Sequence, residues 1–418
     1  MRYFLLLPLA ALALFAPVRA SEPVSILAQR PIWPDLLPFQ KTITRAEFVR
    51  LLDTVYAPGG AWKECIEVSS DSARIHQPGQ SGADFKLEFA PNAAAAQPVP
   101  RYWTPPGARK AVPGKPLAGY TIALDPGHLG GPWARMEERW FKIGDAQPVM
   151  EGEMTWLAAQ HLSERLTALG AKVAMVRKGS EPVTFERPRS LRSVAKAELA
   201  RAGITHPREG YDGPDDPLKT QTIQWQSELF FYRVSEIRAR AQRINENLRP
   251  DLVICLHCNA EEWGDPSHPL LTDKNHLHLL VNGNYHAGEL ALADVRHEML
   301  LKLLSRSARV ELPLSNRVAA SLASATGLPP YEYHNGKALR TSNAYVWTRN
   351  LLASRLYLCP VVYCEPYVMN SQVVFNRVQL GDYTGVKAID GVERKSLYRE
   401  YADAVAEGVA AYFAEKAK

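Results

Sequence analysis

Residues 121–128 read Thr-Ile-Ala-Leu-Asp-Pro-Gly-His, and the way this stretch ends decides the fold to expect. Thr121 to Leu124 are strand-prone, Pro126 cannot continue a sheet ladder, and Gly127 permits a sharp turn. The chain is therefore expected to leave a buried strand and deliver His128 just past its end. In open α/β sheets, chemistry is usually placed at that edge, where several strands converge. Two further runs repeat the pattern: Asp251-Leu-Val-Ile-Cys-Leu-His257 ends in a histidine and Pro360-Val-Val-Tyr-Cys-Glu365 in a carboxylate. Three apolar strands delivering metal-compatible or acid–base residues at the same end point to a constructed site.

Working outward, Glu151 to Leu169 carries Met154, Leu157, Ala158, His161, Leu162, Leu166 and Leu169 at helical spacing. Gly170 stops this helix and Ala171–Arg177 reads as a strand, so the three segments form a βαβ unit with parallel pairing. Residues 180–225, polar and Pro-bearing, read as an excursion from the sheet. A helix is expected from about Glu228 to Leu248, an edge strand from His276 to Val281, and helical structure from Tyr285 to Arg309. A further helix should start near Ser315-Asn316, and Ser396 to Glu415 should close the chain. The fold class is α/β, a central, mostly parallel sheet flanked by helices, and the domain that holds it spans residues 117–418.

Residues 1–20 have a basic head, an apolar run too short to span a bilayer and a Val18-Arg19-Ala20 cleavage site, the pattern of a signal peptide. A periplasmic or secreted protein is expected, with no transmembrane segment in the mature chain. Residues 21–90 read as a small α+β module. Thr44 and Glu47 form a capping box and Ile43 and Phe48 a hydrophobic staple, starting a helix that runs to about Tyr56. Strand-like runs follow at Trp62–Val68 and Phe85–Phe89. Residues 91–116, rich in Pro and Ala, read as a semi-rigid linker. The formal charge of +5 falls to +3 without Arg2 and Arg19, too little to argue for nucleic acid. Five cysteines are an odd number for an oxidising compartment. Cys255-x-x-Cys258 has no matching second pair, so buried thiols are the expectation, with a Cys258–Cys364 disulfide as a weaker one.

Zinc catalysis needs three protein ligands and one open position for water, with a nearby carboxylate to take that water's proton. His128 and His257 supply two neutral imidazoles. Glu151, in the first turn of its helix, supplies the third ligand, and Glu365 remains as the base. Glu153 competes with Glu151, and Asp125 reads as a turn-former rather than a ligand. A rival metal motif, His286-Ala-Gly-Glu289, lacks a suitable third histidine.

Asp125-Pro-Gly-His128, the Glu151-Gly-Glu-Met-Thr-Trp-Leu-Ala run with Gly170-Ala-Lys-Val173, Leu256-His-Cys-Asn-Ala260 and Cys364-Glu-Pro-Tyr-Val-Met-Asn370 together resemble the zinc-dependent N-acetylmuramoyl-L-alanine amidases. The resemblance covers about Leu117 to the C-terminus. It implies a sheet flanked by helices, one zinc ion on His128, Glu151 and His257, Glu365 as catalytic glutamate, and hydrolysis of the muramoyl–L-alanine amide of peptidoglycan. The chain departs from the family pattern at Cys258, at Pro366-Tyr367 and in long connections at 180–235 and 261–345. Those connections are long enough to form a lid that an activator protein would displace. Two other readings are a catalytically silent wall-binding or regulatory protein on the same fold and a zinc metallopeptidase acting on peptides.

Overall fold

The computed structural model describes residues 23–77, 84–110, 112–266, 268–389 and 391–417. The segment read as a signal peptide lies outside them. At the centre is a seven-stranded sheet. Its strands are β1 (Thr121–Pro126), β2 (Lys172–Met175), β3 (Leu252–Leu256), β4 (Leu277–Val281), β5 (Leu339–Arg340), β6 (Val346–Thr348) and β7 (Val361–Pro366). The spatial order is β5-β6-β4-β7-β3-β1-β2.

Strands β7, β3, β1 and β2 are mutually parallel, so the three strands that deliver His128, His257 and Glu365 are neighbours ending at one edge. Helix α1 (Glu151–Ala168) connects β1 to β2 as the sequence pattern requires, and Gly170 turns the chain at φ +99°. All of β3 is buried, the apolar run typical of a parallel strand covered on both faces.

The 276–281 segment is not an edge strand. β4 lies between β7 and β6, antiparallel to the first and parallel to the second, with all five residues buried. Its outer side is covered by β6 and β5, three and two residues long, too short to read as strands in a sequence.

Helices α2 (Ala308–Thr326) and α3 (Leu397–Lys416) pack together over one sheet face, with α1 against α3. A Cβ on Gly408 would lie 2.6 Å from the Val318 Cα, so these axes approach closely only because residue 408 is glycine. α2 begins at Ala308 rather than near Ser315, carrying Pro313 in its second turn at the loss of one backbone bond. The expected 228–248 helix starts earlier, at Ile223, with Thr222 as its N-cap. It runs to Leu248 through two π-helical segments, Phe231–Ser235 and Arg243–Leu248.

In the N-terminal module, Thr44 Oγ1 accepts from the Glu47 amide at 3.3 Å and starts a helix at Arg45 that continues as a π turn to Tyr56. The Trp62 run opens as a 3-10 turn and becomes a strand only at Ile66. A strand at Ser72–Ile75, missed in the sequence, sits between its neighbours. Phe48, Leu52 and Leu87 share one core with Tyr285, Met299, Leu300 and Leu303. Backbone bonds from Asn284 and Tyr285 to Val55 and Tyr56 join the two segments. All five cysteines are buried and unbridged, so the Cys258–Cys364 disulfide is not formed. Burial pushes the Cys258 and Cys364 thiols up and leaves them as small core residues.

The start of β7 is fixed by a buried ion pair. Lys302 Nζ lies 2.7 Å from Glu311 Oε1 and also donates to the carbonyls of Tyr357 and Cys359, using all three protons. Glu311 Oε1 in turn accepts from the Val361 amide at 3.0 Å. Removing one partner strands the other charge. Lys302→Met is therefore expected to destabilise the protein by about 3–5 kcal/mol in urea titrations, and Lys302→Met with Glu311→Leu by clearly less. Equal losses would show that the pair does not act as a unit.

Candidate metal centre and its cleft

The Asp-Pro-Gly-His turn is held from below. Asp125 Oδ1 accepts from Arg240 Nη1 at 2.9 Å and Oδ2 from the Tyr357 hydroxyl at 2.6 Å. Arg240 also donates to the carbonyls of Pro126 and His128, and its Nε to Glu236 at 2.7 Å. Arg177 bridges the Pro126 carbonyl to the Gly152 carbonyl, tying the turn to the start of α1. His128 adopts φ +56°, a conformation unusual outside glycine that these bonds over-determine.

Two glycines allow the groups to meet. A Cβ on Gly127 would stand 2.2 Å from the His257 ring, and one on Gly152 2.2 Å from the Leu129 backbone. The chain thereby brings Glu151, the first residue of α1 and only 1% exposed, against both histidines. His128 Nε2 lies 3.3 Å from Glu151 Oε2, and His257 Nδ1 3.3 Å from Glu151 Oε1. Ligand atoms of these three residues all fall within 4.8 Å of one another. His257 stacks on Tyr363 at 4.4 Å and 15°, and its carbonyl accepts from the Tyr401 hydroxyl.

The donor set fits a divalent cation on protonation grounds. Glu137 Oε2 accepts from the Leu129 amide at 2.9 Å and lies 3.0 Å from His128 Nδ1, so Nδ1 carries the proton. Burial holds the His128 imidazole below its usual range, against the pull of Glu151 and Glu137, so Nε2 presents a lone pair. That lone pair faces Glu151 Oε2, a buried atom whose ion-pair partner is Arg139 Nε at 3.2 Å. Burial would raise the Glu151 carboxyl, but His128, His257 and Arg139 outweigh it and hold it at about 2. The Arg139 guanidinium offsets the carboxylate charge from one side, and a cation between the two acceptors, 3.3 Å apart, would satisfy both lone pairs. Two imidazoles and one carboxylate form the three-ligand set that leaves a fourth position open.

Glu365, in β7, opens into the same cleft of about 1050 Å³, which is lined by His128, Glu151 and His257. Its carboxyl is raised to about 7 by burial, reinforced by the Glu151 charge and opposed by His257, Arg139 and Arg349. The pair of carboxylates is thus split, one fixed as an anion and one poised to exchange a proton near neutrality.

The competing residues lie elsewhere. Glu153 Oε1 accepts from the Gly131 amide and Ser180, holding the loop after His128. His286 and Glu289 form a helix capping box. Sequence reading missed Glu137, Arg139, Arg177 and Arg240. Glu137 is indistinguishable by pattern from its neighbour Glu138, which instead pairs with Lys219. Both long connections contribute cleft walls, through Tyr211 and Lys219 from one and Tyr331 and Tyr333 from the other.

No protein-family model and no curated protein matches the chain. Among solved structures, it is similar to the N-acetylmuramyl-L-alanine amidase Ami1 of Mycobacterium abscessus, at 19% identity and TM-score 0.36, over 71% of this chain and 99% of that one. The CwlD amidase of Clostridioides difficile, solved in complex with the GerS lipoprotein, gives 13% identity and TM-score 0.37 over 71% and 100%. AmiC2 of Nostoc punctiforme gives 12% and 0.34 over 71% and 98%. Likeness this distant does not assign chemistry; the side chains of the cleft have to do so.

Glu137→Ala removes the acceptor that fixes the His128 tautomer and is expected to weaken divalent-cation binding about 10- to 100-fold in chelator competition. Unchanged affinity would detach Glu137 from the site. Glu365 also predicts a pH dependence of stability. Its folded pKa of about 7 lies above the usual carboxylate value of 4.5, so its contribution is full below 4.5 and lost as pH rises through 7. Metal-free Glu365→Gln should therefore melt at a higher temperature than the metal-free parent at pH 8 and at the same temperature near pH 4. A Tm difference independent of pH would contradict this.

Proposed function

We propose that the protein is a zinc-dependent amide hydrolase that cleaves the bond between N-acetylmuramic acid and L-alanine in peptidoglycan. The observation that carries this reading is the convergence of ligand atoms of His128, Glu151 and His257 within 4.8 Å of one another, in one cleft with a carboxyl tuned to about neutral pH. The sequence motifs around these residues supply the substrate class.

In this reading His128, Glu151 and His257 hold the ion. When bound, zinc polarises the scissile carbonyl and acidifies a water. Glu365, as carboxylate, takes the proton from that water as its oxygen attacks the lactyl carbonyl carbon. Protonated Glu365 then delivers the proton to the alanine nitrogen as the C–N bond breaks, leaving a carboxylic acid on the sugar and a free amine on the peptide. Arg240, Asp125 and Tyr357 keep the His128 turn rigid through both transfers. Tyr363 fixes the His257 ring plane, and Glu137 keeps the His128 proton on Nδ1.

Residues 117–418 are the catalytic domain in this proposal, residues 21–90 a supporting module and 91–116 the linker between them. Residues 1–20 export the chain to the compartment of its substrate, periplasmic or secreted. No helix among the described residues is long and apolar enough to cross a membrane.

Incubation of the zinc-loaded protein with purified sacculi should release stem peptides with free alanine amino groups and leave the glycan unmodified, as read by mass spectrometry. Cleavage within peptides alone would make it a peptidase, and no release a binding protein. Glu365→Gln should retain zinc and lose about 10²–10⁴-fold in turnover. His257→Ala should lose the metal itself.

A further inference from the structure

Past Glu365 the cleft is walled by aromatic rings on the side away from the metal ligands. β4 lies next to β7, whereas β3 and β1, which deliver His257 and His128, lie on the other side of β7. His278 in β4 is in register with Glu365, so the two side chains share one face with Cβ atoms about 5 Å apart. Residues 329–333 run alongside the start of β4: the Leu277 amide donates to the Pro329 carbonyl at 3.0 Å and the Tyr331 amide to the Leu277 carbonyl at 3.1 Å. That pairing sets Tyr333 beside His278, with its hydroxyl 2.8 Å from His278 Nε2. Tyr331, His278 and Trp347 pack edge-on with the Tyr333 ring at 4.7, 5.2 and 5.2 Å and hold it in place.

The direction of the Tyr333 hydroxyl proton follows from the tautomer of His278. His278 is 2% exposed, and burial, reinforced by His276 and Arg349, holds its imidazole down at about 3, so the ring is neutral and carries one proton. Its Nδ1 is buried and has no hydrogen-bond partner among the described residues. A proton there would be a buried N–H with no acceptor, a costlier defect than a lone pair with no donor. The proton therefore sits on Nε2, and His278 donates to the Tyr333 oxygen. Arg349 Nη1 also donates to that oxygen, at 3.4 Å. Both neighbours are donors, so neither receives the hydroxyl's own proton. Tyr333 is half-buried and lines the cleft, and its proton is left for an acceptor there. Burial and the Glu365 charge push the phenol up, so it keeps that proton throughout the range in which Glu365 titrates.

We propose that Tyr333 is a substrate-binding residue that donates a hydrogen bond to the carbonyl oxygen of the alanine on the leaving side of the scissile amide, and that His278 is the positioning residue that aims it. This rests on the amidase reading and extends it. With the lactyl carbonyl at the metal ligands and Glu365 delivering a proton to the alanine nitrogen, the scissile bond runs from the β3 side towards β7. The next strand in that direction is β4, one spacing of about 4.8 Å further on. The alanine carbonyl oxygen, three bonds beyond the nitrogen and roughly 3 Å from it, is the first acceptor on that side, since the methyl side chain offers none. The substrate class is therefore a muramoyl amide whose amine bears a carbonyl on the adjacent carbon, as an amino-acid residue does and a simple alkylamine does not.

The test uses N-acetylmuramoyl-L-alanine methylamide and its (E)-alkene isostere, which keeps the shape and lacks the carbonyl oxygen. The zinc-loaded parent should prefer the amide, and Tyr333→Phe should cut that preference by about 3- to 10-fold, through a higher KM for the amide alone. His278→Leu should also cut it, while His278→Gln, whose side-chain amide still donates, should keep part of it. Calorimetric binding of both compounds to full-length Glu365→Gln, with and without Tyr333→Phe, should show the same change without turnover. Equal handling of amide and alkene by the parent would overturn the proposal and leave the amidase reading intact. So would a preference unaltered by Tyr333→Phe, including the case in which that substitution only shifts the acid limb of the pH profile for both compounds, which would assign the hydroxyl to Glu365 instead. Failure to cleave sacculi, by contrast, would overturn the amidase reading, and a binding preference indifferent to Tyr333→Phe in the same preparation would remove the tyrosine contact as well.

Discussion

Everything in the cleft depends on one buried guanidinium. Arg240 is itself only 4% exposed and is neutralised by Asp125 and Glu236 on opposite sides, while its remaining donors hold the carbonyls of Pro126 and His128. A buried ion pair is a poor source of net stability, because desolvation offsets most of its attraction. What it supplies here is direction. The turn after β1 has its carbonyls fixed at two points, so His128 is held in left-handed backbone geometry with its ring aimed across the strand ends. The Glu236 carboxylate that completes the clamp also accepts from the amides of Val183 and Thr184, which ties the first long connection to the same point.

The parallel core was legible because its strands obey the simplest rule: continuous apolar runs, each stopped by a polar residue at the functional edge. β1, β3 and β7 are such runs, and their adjacency follows once all three are parallel. The β1–α1–β2 unit was legible from helical spacing and Gly170. β4 was visible as a strand and misplaced as an edge because its outer neighbours, β5 and β6, have too few residues to show a period. The early start of α2 was hidden by Pro313, which in a sequence reads as a boundary and here sits inside the helix.

Of the site, the residues that would touch a metal or a proton were readable, and those that orient them were not. His128, His257 and Glu365 sit at strand ends, and Glu151 at a helix start, positions with a recognisable grammar. Glu137 caps the end of a four-residue helix, Trp133–Met136, Arg240 comes from the middle of a helix and Tyr357 from the connection before β7. Each acts through a contact across more than the local window: Arg240 and Asp125 are 115 positions apart, Tyr357 and Asp125 232. Nothing in the local composition marks such residues, since their role is set by tertiary placement alone. The shared core of the N-terminal module and residues 285–308 was unreadable for the same reason.

The division of labour in the cleft follows from these constraints. Strand ends are rigid because each is hydrogen-bonded on two sides, so groups that must hold fixed distances belong there. Two carboxylates illustrate the consequence. Glu151 is in contact with His128, His257 and Arg139 and stays ionised, while at Glu365 burial and the Glu151 charge outweigh His257, Arg139 and Arg349 and raise it towards neutrality. The same residue type is thereby given two protonation states by placement alone. The connections that wall the cleft are freer to vary, and they carry side chains such as Tyr211, Lys219, Tyr333 and Arg349. Residues there are free to change which molecule is admitted without disturbing the distances between His128, Glu151 and His257, because none of them supplies a bond to the Arg240 clamp.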